Sequence, residues 1–432
     1  MKSITACWRV YLVRSLYTSL SYLSLPIVFL RLYWRGRGDL SYLGRWSERF
    51  GFIPILQKPG CLLVHAVSVG EARTAFPLIS ALRENYPKIP ILVTTSTLTG
   101  SRQVRAVLGN QVHHFYMPYD LPSSIRRFLK RARPKLVVIM ETELWPNLLR
   151  ECAVSGIPVL VANARLSERS VRGYRHIQCL TTAMLRDVTL ITAQSEIDAG
   201  RFRSLGAPRV CVFGNLKYDL VLQNGLQEQG QNLRQELFGE ERLIWIAAST
   251  HNGEEKKILQ AFSLLCHRWP GLLLFLVPRH PERFDKVATL CKQQGFKLVR
   301  RSEQRSCVPS TTVFLGDSMG ELLLFYAAAD LAFVGGSLVP NGGHNVLEPA
   351  SLGLPVLFGP HMFNFNEASE QLLVEGAALQ VSSVERLSIA VDRLLAAPRL
   401  RRILGERGRM VVERNKGALR ALLEYIDVLI TD

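Results

Sequence analysis

Gly335-Gly336 closes an apolar run, Leu331 to Val334, and a second pair, Gly342-Gly343, leads through His344 and Asn345 to Glu348. That is a nucleotide-sugar site in outline. Glycines let backbone N–H groups approach a phosphate, and the N-terminus of the expected helix, His344 to Leu352, adds partial positive charge. Glu348, within the first turns, is placed to accept hydrogen bonds from a ribose or sugar hydroxyl. Gly353 then stops the helix and Leu354 to Phe358 resumes a buried strand. Taken alone, the segment also fits an ordinary glycine-rich strand-to-helix turn.

A transfer to a hydroxyl needs a base as well. A strand ending at His65 runs through Ser68 and Gly70, which can leave the backbone open, into Glu71 at a helix N-terminus. Glu71 is a reasonable general base for a sugar hydroxyl. The helix dipole lowers its pKa, so raised basicity requires partial burial or a hydrogen-bonded partner. The blander alternative is a favourable first-turn carboxylate. Glu141-Thr142-Glu143-Leu144-Trp145-Pro146-Asn147 places two carboxylates after another strand, to bind acceptor hydroxyls, orient a basic residue or ligate a metal; a helix cap beside a packing Trp has the same pattern. Asn163-Ala164-Arg165 offers Arg165 to an anion, and Lys217 could reach a phosphate between domains.

Three turns in the second half resemble one another. Ser249-Thr250-His251-Asn252-Gly253-Glu254 suits an anion, Arg279-His280-Pro281 suits a phosphate and a nucleobase edge, and Gly316-Asp317-Ser318-Met319-Gly320-Glu321 repeats the pattern. No Walker loop, GxSxG elbow or HExxH is present, which disfavours an NTPase, a serine hydrolase and a zinc protease.

These residues need strand ends to hold them. Cys61 to His65, Ile91 to Thr95, His113 to Met117, Leu136 to Met140, Val159 to Asn163, Leu190 to Ala193 and Val210 to Phe213 read as strands, alternating with helical patterns such as Ala72 to Asn85, Ser123 to Arg131 and Ser195 to Leu205. Polar, weakly periodic Gln223 to Gln235 reads as a linker. A second series follows: Leu243 to Ala248, Leu272 to Pro278, Lys297 to Arg300, Thr312 to Leu315, Leu331 to Val334 and Pro355 to Phe358. The rhythm predicts α/β architecture with parallel sheets, whose ligands gather beyond the carboxyl ends of the strands. The expected division is a membrane-associated helix and basic flank over 1–34, one Rossmann-like domain over 35–222 and a second over 223–432. A last helix, Ala418 to Leu429, could return to brace the first domain.

At 432 residues and 48% hydrophobic, the chain is too long for one core and should form two domains. A net charge of +17 calls for a polyanionic partner: nucleic acid, anionic lipid or a phosphorylated substrate. No zinc-finger or RNA-binding signature appears, which lowers the nucleic-acid reading. The eight cysteines form no CxxC pair, and Cys61 and Cys211 look like small core residues of a reducing compartment. Ser15 to Leu30 is apolar and uncharged but short for a span and interrupted by Pro26. Arg31, Arg35, Arg37, Arg45 and Arg49 follow it, so this flank should stay cytoplasmic, with the helix either crossing the bilayer or lying on it.

Taken together, Ser68-Val69-Gly70-Glu71, Glu141 to Asn147, Asn163 to Ser167, Gly214-Asn215-Leu216-Lys217, Pro278 to Phe284, Gly316 to Glu321 and Gly342 to Pro349 resemble the Kdo (3-deoxy-D-manno-octulosonic acid) transferases of lipopolysaccharide biosynthesis over nearly the whole chain. The resemblance implies a GT-B glycosyltransferase, two Rossmann-like domains facing a cleft. It implies an inverting transfer of Kdo from CMP-Kdo to the lipid A precursor lipid IVA at the cytoplasmic face of the inner membrane, with no metal or cofactor. It makes Glu71 the catalytic base. Arg279, His280, Ser318, Met319, Gly320, Asn345 and Glu348 become the phosphate and cytidine contacts, with Lys217 at the cleft and Gly343 in the donor site. Ser68, Gly70, Glu141, Glu143 and Arg165 are acceptor-binding or structural. Two other readings stand beside it: another GT-B transferase or a sugar-nucleotide epimerase, and a basic protein that only binds anionic lipid or nucleic acid.

Overall fold

The computed structural model describes residues 2–37, 44–220, 222–239 and 241–431; the side chain of Arg35, part of the expected basic flank, lies outside the described residues. The chain forms two compact units, Met1–Asp219 with Lys416–Asp432, and Leu220–Asn415.

In the first unit, β1 (Cys61–His65), β2 (Ile91–Thr95), β3 (His113–Tyr116), β4 (Pro134–Met140), β5 (Val159–Ala164), β6 (Leu190–Ala193) and β7 (Val210–Val212) form one parallel sheet in the order β3-β2-β1-β4-β5-β6-β7. Every residue of β1, β2 and β5 is buried, as expected of strands covered on both faces. Successive side chains alternate between two cores. Leu63, Val137, Ile139 and Val161 meet Phe128 and Leu148 on one face; Leu62, Val64, Val138 and Leu160 meet Leu78 and Leu82 on the other. The second core is completed by Ala418, Leu422, Ile426 and Ile430 of the last helix, Ala418–Thr431. That helix therefore belongs to the first unit and not to 223–432. Asp219 anchors its start, accepting the N–H groups of Gly417 at 2.7 Å and Leu419 at 2.9 Å.

The second unit repeats the architecture with β8 (Ile244–Thr250), β9 (Leu273–Pro278), β10 (Leu298–Arg300), β11 (Val313–Leu315), β12 (Leu331–Val334), β13 (Val356–Phe358) and β14 (Ala378–Gln380), all parallel in the order β10-β11-β9-β8-β12-β13-β14. The expected linker is instead mostly a helix, Leu226–Leu237. Leu226 and Leu233 are buried and Gly230 lies so close to Ala327 that a Cβ would sit 2.5 Å from its methyl group. A glycine at an inward-facing position hid the apolar stripe.

Two further expectations are corrected. Cys211 is exposed, because β7 is an edge strand. Arg45 and Arg49 do not extend a basic outer flank. Arg45 pairs with buried Glu48 at 2.6 Å, and both guanidinium groups lie over the Tyr116 ring.

Near the N-terminus, helices Lys2–Leu23 and Leu25–Gly36 meet at Ser24. Between them, Val10–Trp34 is long and apolar enough to cross a membrane by length and composition. One face is docked on the first unit. Val13 and Tyr17 pack against its core, Tyr17 donates to Asp120 at 3.0 Å, Thr18 donates to Asn147 at 3.2 Å, and Phe29 stacks on Phe50. Leu16, Leu20, Leu23, Ile27 and Leu30 are exposed on the remaining surface.

Candidate functional site

In each sheet the strand order reverses beside its first strand, between β1 and β4 in the first unit and between β8 and β12 in the second, where β11 is also interposed between β9 and β10. Such a reversal splays the loops beyond the carboxyl ends of the strands and opens a crevice there.

In the first unit, Ser68 caps the helix Val69–Asn85 and Glu71 is its third residue. The two interlock: Ser68 Oγ accepts the Glu71 N–H at 3.4 Å and donates to Glu71 Oε1 at 2.9 Å, while Val67 N–H donates to Oε2 at 2.8 Å. This is close to a capping box, with the reciprocal bond made to the residue before the cap. Burial pushes the Glu71 carboxyl up to about 7; the two donors pull against that, and the charges of Glu141 and Glu143 add to it. The partial burial that a basic Glu71 requires is present. Each oxygen uses one acceptor position within the protein, which leaves capacity for a substrate hydroxyl.

Across the reversal, Glu141 follows β4 in a left-handed conformation, φ 58°, and pairs with Arg165 Nε at 3.1 Å. Of the sequence options for this carboxylate, the structure displays the one that orients a basic residue. Glu143 accepts the Trp145 Nε1–H at 2.8 Å. The Trp145 ring meets His65 edge to face at 5.3 Å. Asn163, φ 54°, accepts the Leu216 N–H at 2.9 Å through Oδ1, which ties the end of β5 to the turn that carries Lys217. Non-glycine residues in this region cost of order 1–3 kcal/mol and cluster at functional sites.

Sequence reading passed over His65 as the end of an apolar strand. It is fully buried, with Nδ1 3.0 Å from Thr94 Oγ1, and its Nε2 has no hydrogen-bond partner among the described residues. Burial lowers its pKa to about 4, so the ring is neutral near pH 7. Asp120 was also missed. Its carboxylate accepts N–H groups of Asn147 at 2.9 Å and Leu148 at 2.8 Å, fixing the helix that follows Trp145. No motif marks it; its partners are distant in sequence.

In the second unit, strands β11, β9, β8 and β12 are neighbours, so the turns 316–321, 279–283, 249–255 and 335–348 fringe one edge of the sheet. The glycines do a different job from the one expected. Glu254, fully buried, accepts the N–H groups of Gly336 at 2.7 Å, Leu338 at 2.9 Å, Ser337 at 3.1 Å and His251 at 3.2 Å. Gly343 donates its N–H to Gly336 O at 2.9 Å. These amides hold the loops together and are not offered to a phosphate. The glycines permit close approach instead: a Cβ on Gly335 would stand 2.6 Å from Ser249 O, and one on Gly343 2.2 Å from Met362 Sδ. The helix also starts later than expected, spanning only Leu347–Ser351. Asn345 accepts the Leu347 N–H at 3.1 Å and donates to Glu348 at 3.1 Å.

Arg283 is bound to Glu255 at 2.5 and 3.0 Å. Arg279 donates its N–H to Thr250 at 3.0 Å, which places the residue at the shared edge of β8 and β9. Ser318 donates to Glu321, Glu321 is held by Arg301 at 2.7 Å, and Met319 is exposed beside Gly320, φ 88°. The donor-binding residues expected in the second half thus lie along one sheet edge.

The profile of the family described as "3-Deoxy-D-manno-octulosonic-acid transferase (kdotransferase)" matches residues 44–220. A 3-deoxy-D-manno-octulosonic acid transferase of Haemophilus influenzae is 44% identical over 418 residues, covering 96% of this chain and 98% of that one. Among solved structures, a glycosyltransferase from Rickettsia africae is similar with TM-score 0.54 at 13% identity, covering 87% of this chain and 100% of that one. A UDP-GlcNAc 2-epimerase from Neisseria meningitidis is similar with TM-score 0.55 at 15% identity, covering 84% and 99%. Transferases and epimerases share this fold, so the fold alone does not choose between them. The near-full-length identity does, and the chain belongs to the Kdo transferase family of GT-B glycosyltransferases.

Proposed function

We propose that this enzyme moves Kdo from CMP-Kdo to lipid IVA, with inversion at the anomeric carbon and without a metal. The observation that carries the reading is the half-buried, capped carboxyl of Glu71, poised to titrate near neutrality at the strand-order reversal of the first unit. In this scheme an acceptor hydroxyl attacks the anomeric carbon and gives its proton to Glu71. The bond from that carbon to the phosphate oxygen breaks, and its electron pair leaves with CMP. The donor is assigned to the second unit, with Arg279, His280, Ser318, Met319, Gly320, Asn345 and Glu348 as its contacts and Arg279 supplying charge for the leaving phosphate.

The acceptor is a lipid, and the N-terminal helices suit it. Their polar contacts, Tyr17 to Asp120 and Thr18 to Asn147, face the protein, while large apolar side chains face outward. A helix sealed to a water-soluble unit along one side favours lying on the bilayer over crossing it. We place the enzyme at the cytoplasmic face of the inner membrane, with anionic lipids about exposed Arg31 and Arg37.

Incubating the purified protein with CMP-Kdo and lipid IVA, then weighing the lipid by mass spectrometry, tests the reading. A product heavier by whole Kdo units is expected. Release of free Kdo with unchanged lipid would reject the acceptor, and no consumption of CMP-Kdo would reject the donor.

A further inference from the structure

His251 and His344 come from the turns after β8 and β12, on either side of the strand-order reversal, and their Nε2 atoms are 2.8 Å apart with the rings 8° from coplanar. One residue, Gly336, fixes both. The Gly336 N–H binds the Glu254 carboxylate, which also holds the His251 N–H, while the Gly336 carbonyl accepts the N–H of Gly343, the residue before His344. Gly336 adopts φ 68°, and a Cβ there would stand 3.1 Å from the His344 ring and 3.3 Å from that of His251. The glycine leaves room for two imidazoles, and a buried carboxylate sets their register.

Two facing Nε2 atoms at this distance share one hydrogen, so one ring donates and the other accepts. A single added proton keeps the bond as imidazolium to imidazole; a second would set two N–H groups against each other. The pair therefore has two accessible states that differ by one charge. The ionisable groups on the surrounding segments are Glu254 and Glu255 after β8, Arg279, His280, Glu282 and Arg283 after β9, Glu348 in the short helix after His344, and His361 on the segment packed against Gly343. Burial, then His280 and Arg283, hold His251 below the usual histidine range; Glu255 opposes them, and Arg279 adds a smaller push in their direction. Cations suppress the added proton, and an anion placed among them would restore it.

We propose that the His251–His344 pair takes up one proton when the phosphate of a cytidine nucleotide binds the second unit, so that the site's positive charge is completed only with the ligand in place. The proposal rests on the reading of the second unit as the donor-binding unit. Proton uptake coupled to the phosphate makes nucleotide affinity rise as pH falls, by up to about tenfold per pH unit for one proton.

Isothermal titration calorimetry of the full chain with CMP, and separately with cytidine, in buffers of different ionisation enthalpy counts the protons. At about pH 7.5 the free CMP phosphate, with its pKa near 6, is mostly dianionic and contributes little. Wild-type protein is expected to take up roughly half to one proton per CMP and none with cytidine. His251→Gln and His344→Gln should each lose most of that uptake and bind CMP about tenfold more weakly. Equal uptake in the variants, or in the wild type with cytidine, overturns the proposal. Should the variants fail to fold, the contrast between CMP and cytidine on wild-type protein decides alone. CMP binding with no proton count above that of its own phosphate sinks this inference only; no CMP binding at all sinks the donor reading with it.

Discussion

Glu254 accepts the Gly336 N–H at 2.7 Å, joining the turn after β8 to the turn after β12 through a carboxylate with no solvent exposure. With its bonds to Ser337, Leu338 and His251, the side chain gathers four amides that would otherwise need separate partners. An ion buried in this way is costly unless every lone pair is used, and here the amides use them.

Replacing Glu254 by Gln removes the charge and turns an NH2 group toward amides that need an acceptor. Glu254→Gln is expected to destabilise the second unit by about 2–4 kcal/mol. Chemical denaturation followed by Trp245 and Trp269 fluorescence measures it, and CMP binding should weaken in the same variant.

Glu71 is assigned the proton transfer. Glu71→Gln should lower kcat by about 10²–10⁴-fold while CMP binding is unchanged. Wild-type kcat should rise with pH through about 7, the range in which this carboxyl loses its proton. A variant rate within a few-fold of the parent rejects Glu71 as the base.

The same carboxyl makes a stability prediction with a definite sign. Its folded-state pKa lies above the ordinary value of 4.5, so the native state binds more protons between that value and about 7, and stability falls as pH rises through the interval. The stability of wild type and Glu71→Gln from melting curves should therefore separate as pH rises from 4.5 to about 7, with the variant more stable, stay a constant interval apart above that, and converge below pH 4.5.

Ser68 donates to the ionised form of Glu71 and caps its helix. Ser68→Ala should cost about 1 kcal/mol of stability and shift the rising limb of the pH–rate profile to higher pH. A stability loss without the shift would leave Ser68 as a cap only.

The outward side chains of the N-terminal helices can be changed without disturbing the docked face. Leu16→Gln, Leu20→Gln, Ile27→Gln and Leu30→Gln together should move the protein from the membrane fraction to the soluble one, with Tm unchanged. Retention at the membrane would assign the contact to another surface.

Most strands were legible because double-sided burial leaves near-continuous apolar runs. β14 was not, since Ala378–Gln380 is a three-residue edge strand with little pattern to read. The helix Leu226–Leu237 escaped because Gly230 takes an apolar seat, and Cys211 misled because a short edge strand has the composition of a central one. In the first unit, Ser68, Glu71, Glu141 and Glu143 could be found as polar residues just past strand ends. His65 could not: a histidine inside a buried strand carries no local mark, and its partners Thr94 and Trp145 are remote in sequence. The role of Glu254 was hidden for the same reason. It reads as a first-turn acid after Gly253, and the amides that explain it lie more than 80 positions downstream.

Asp219 receives the chain a second time, at Gly417 and Leu419, after the whole second unit has intervened. This threading sets an order of synthesis. Residues 220–415 are contiguous and can complete their core while the tail is still within the ribosome. The earlier-made unit must wait: the apolar groove that accepts Leu422, Ile426 and Ile430 stays uncovered until that segment has been made. Nascent chains truncated before residue 418 should therefore engage chaperones through their oldest part.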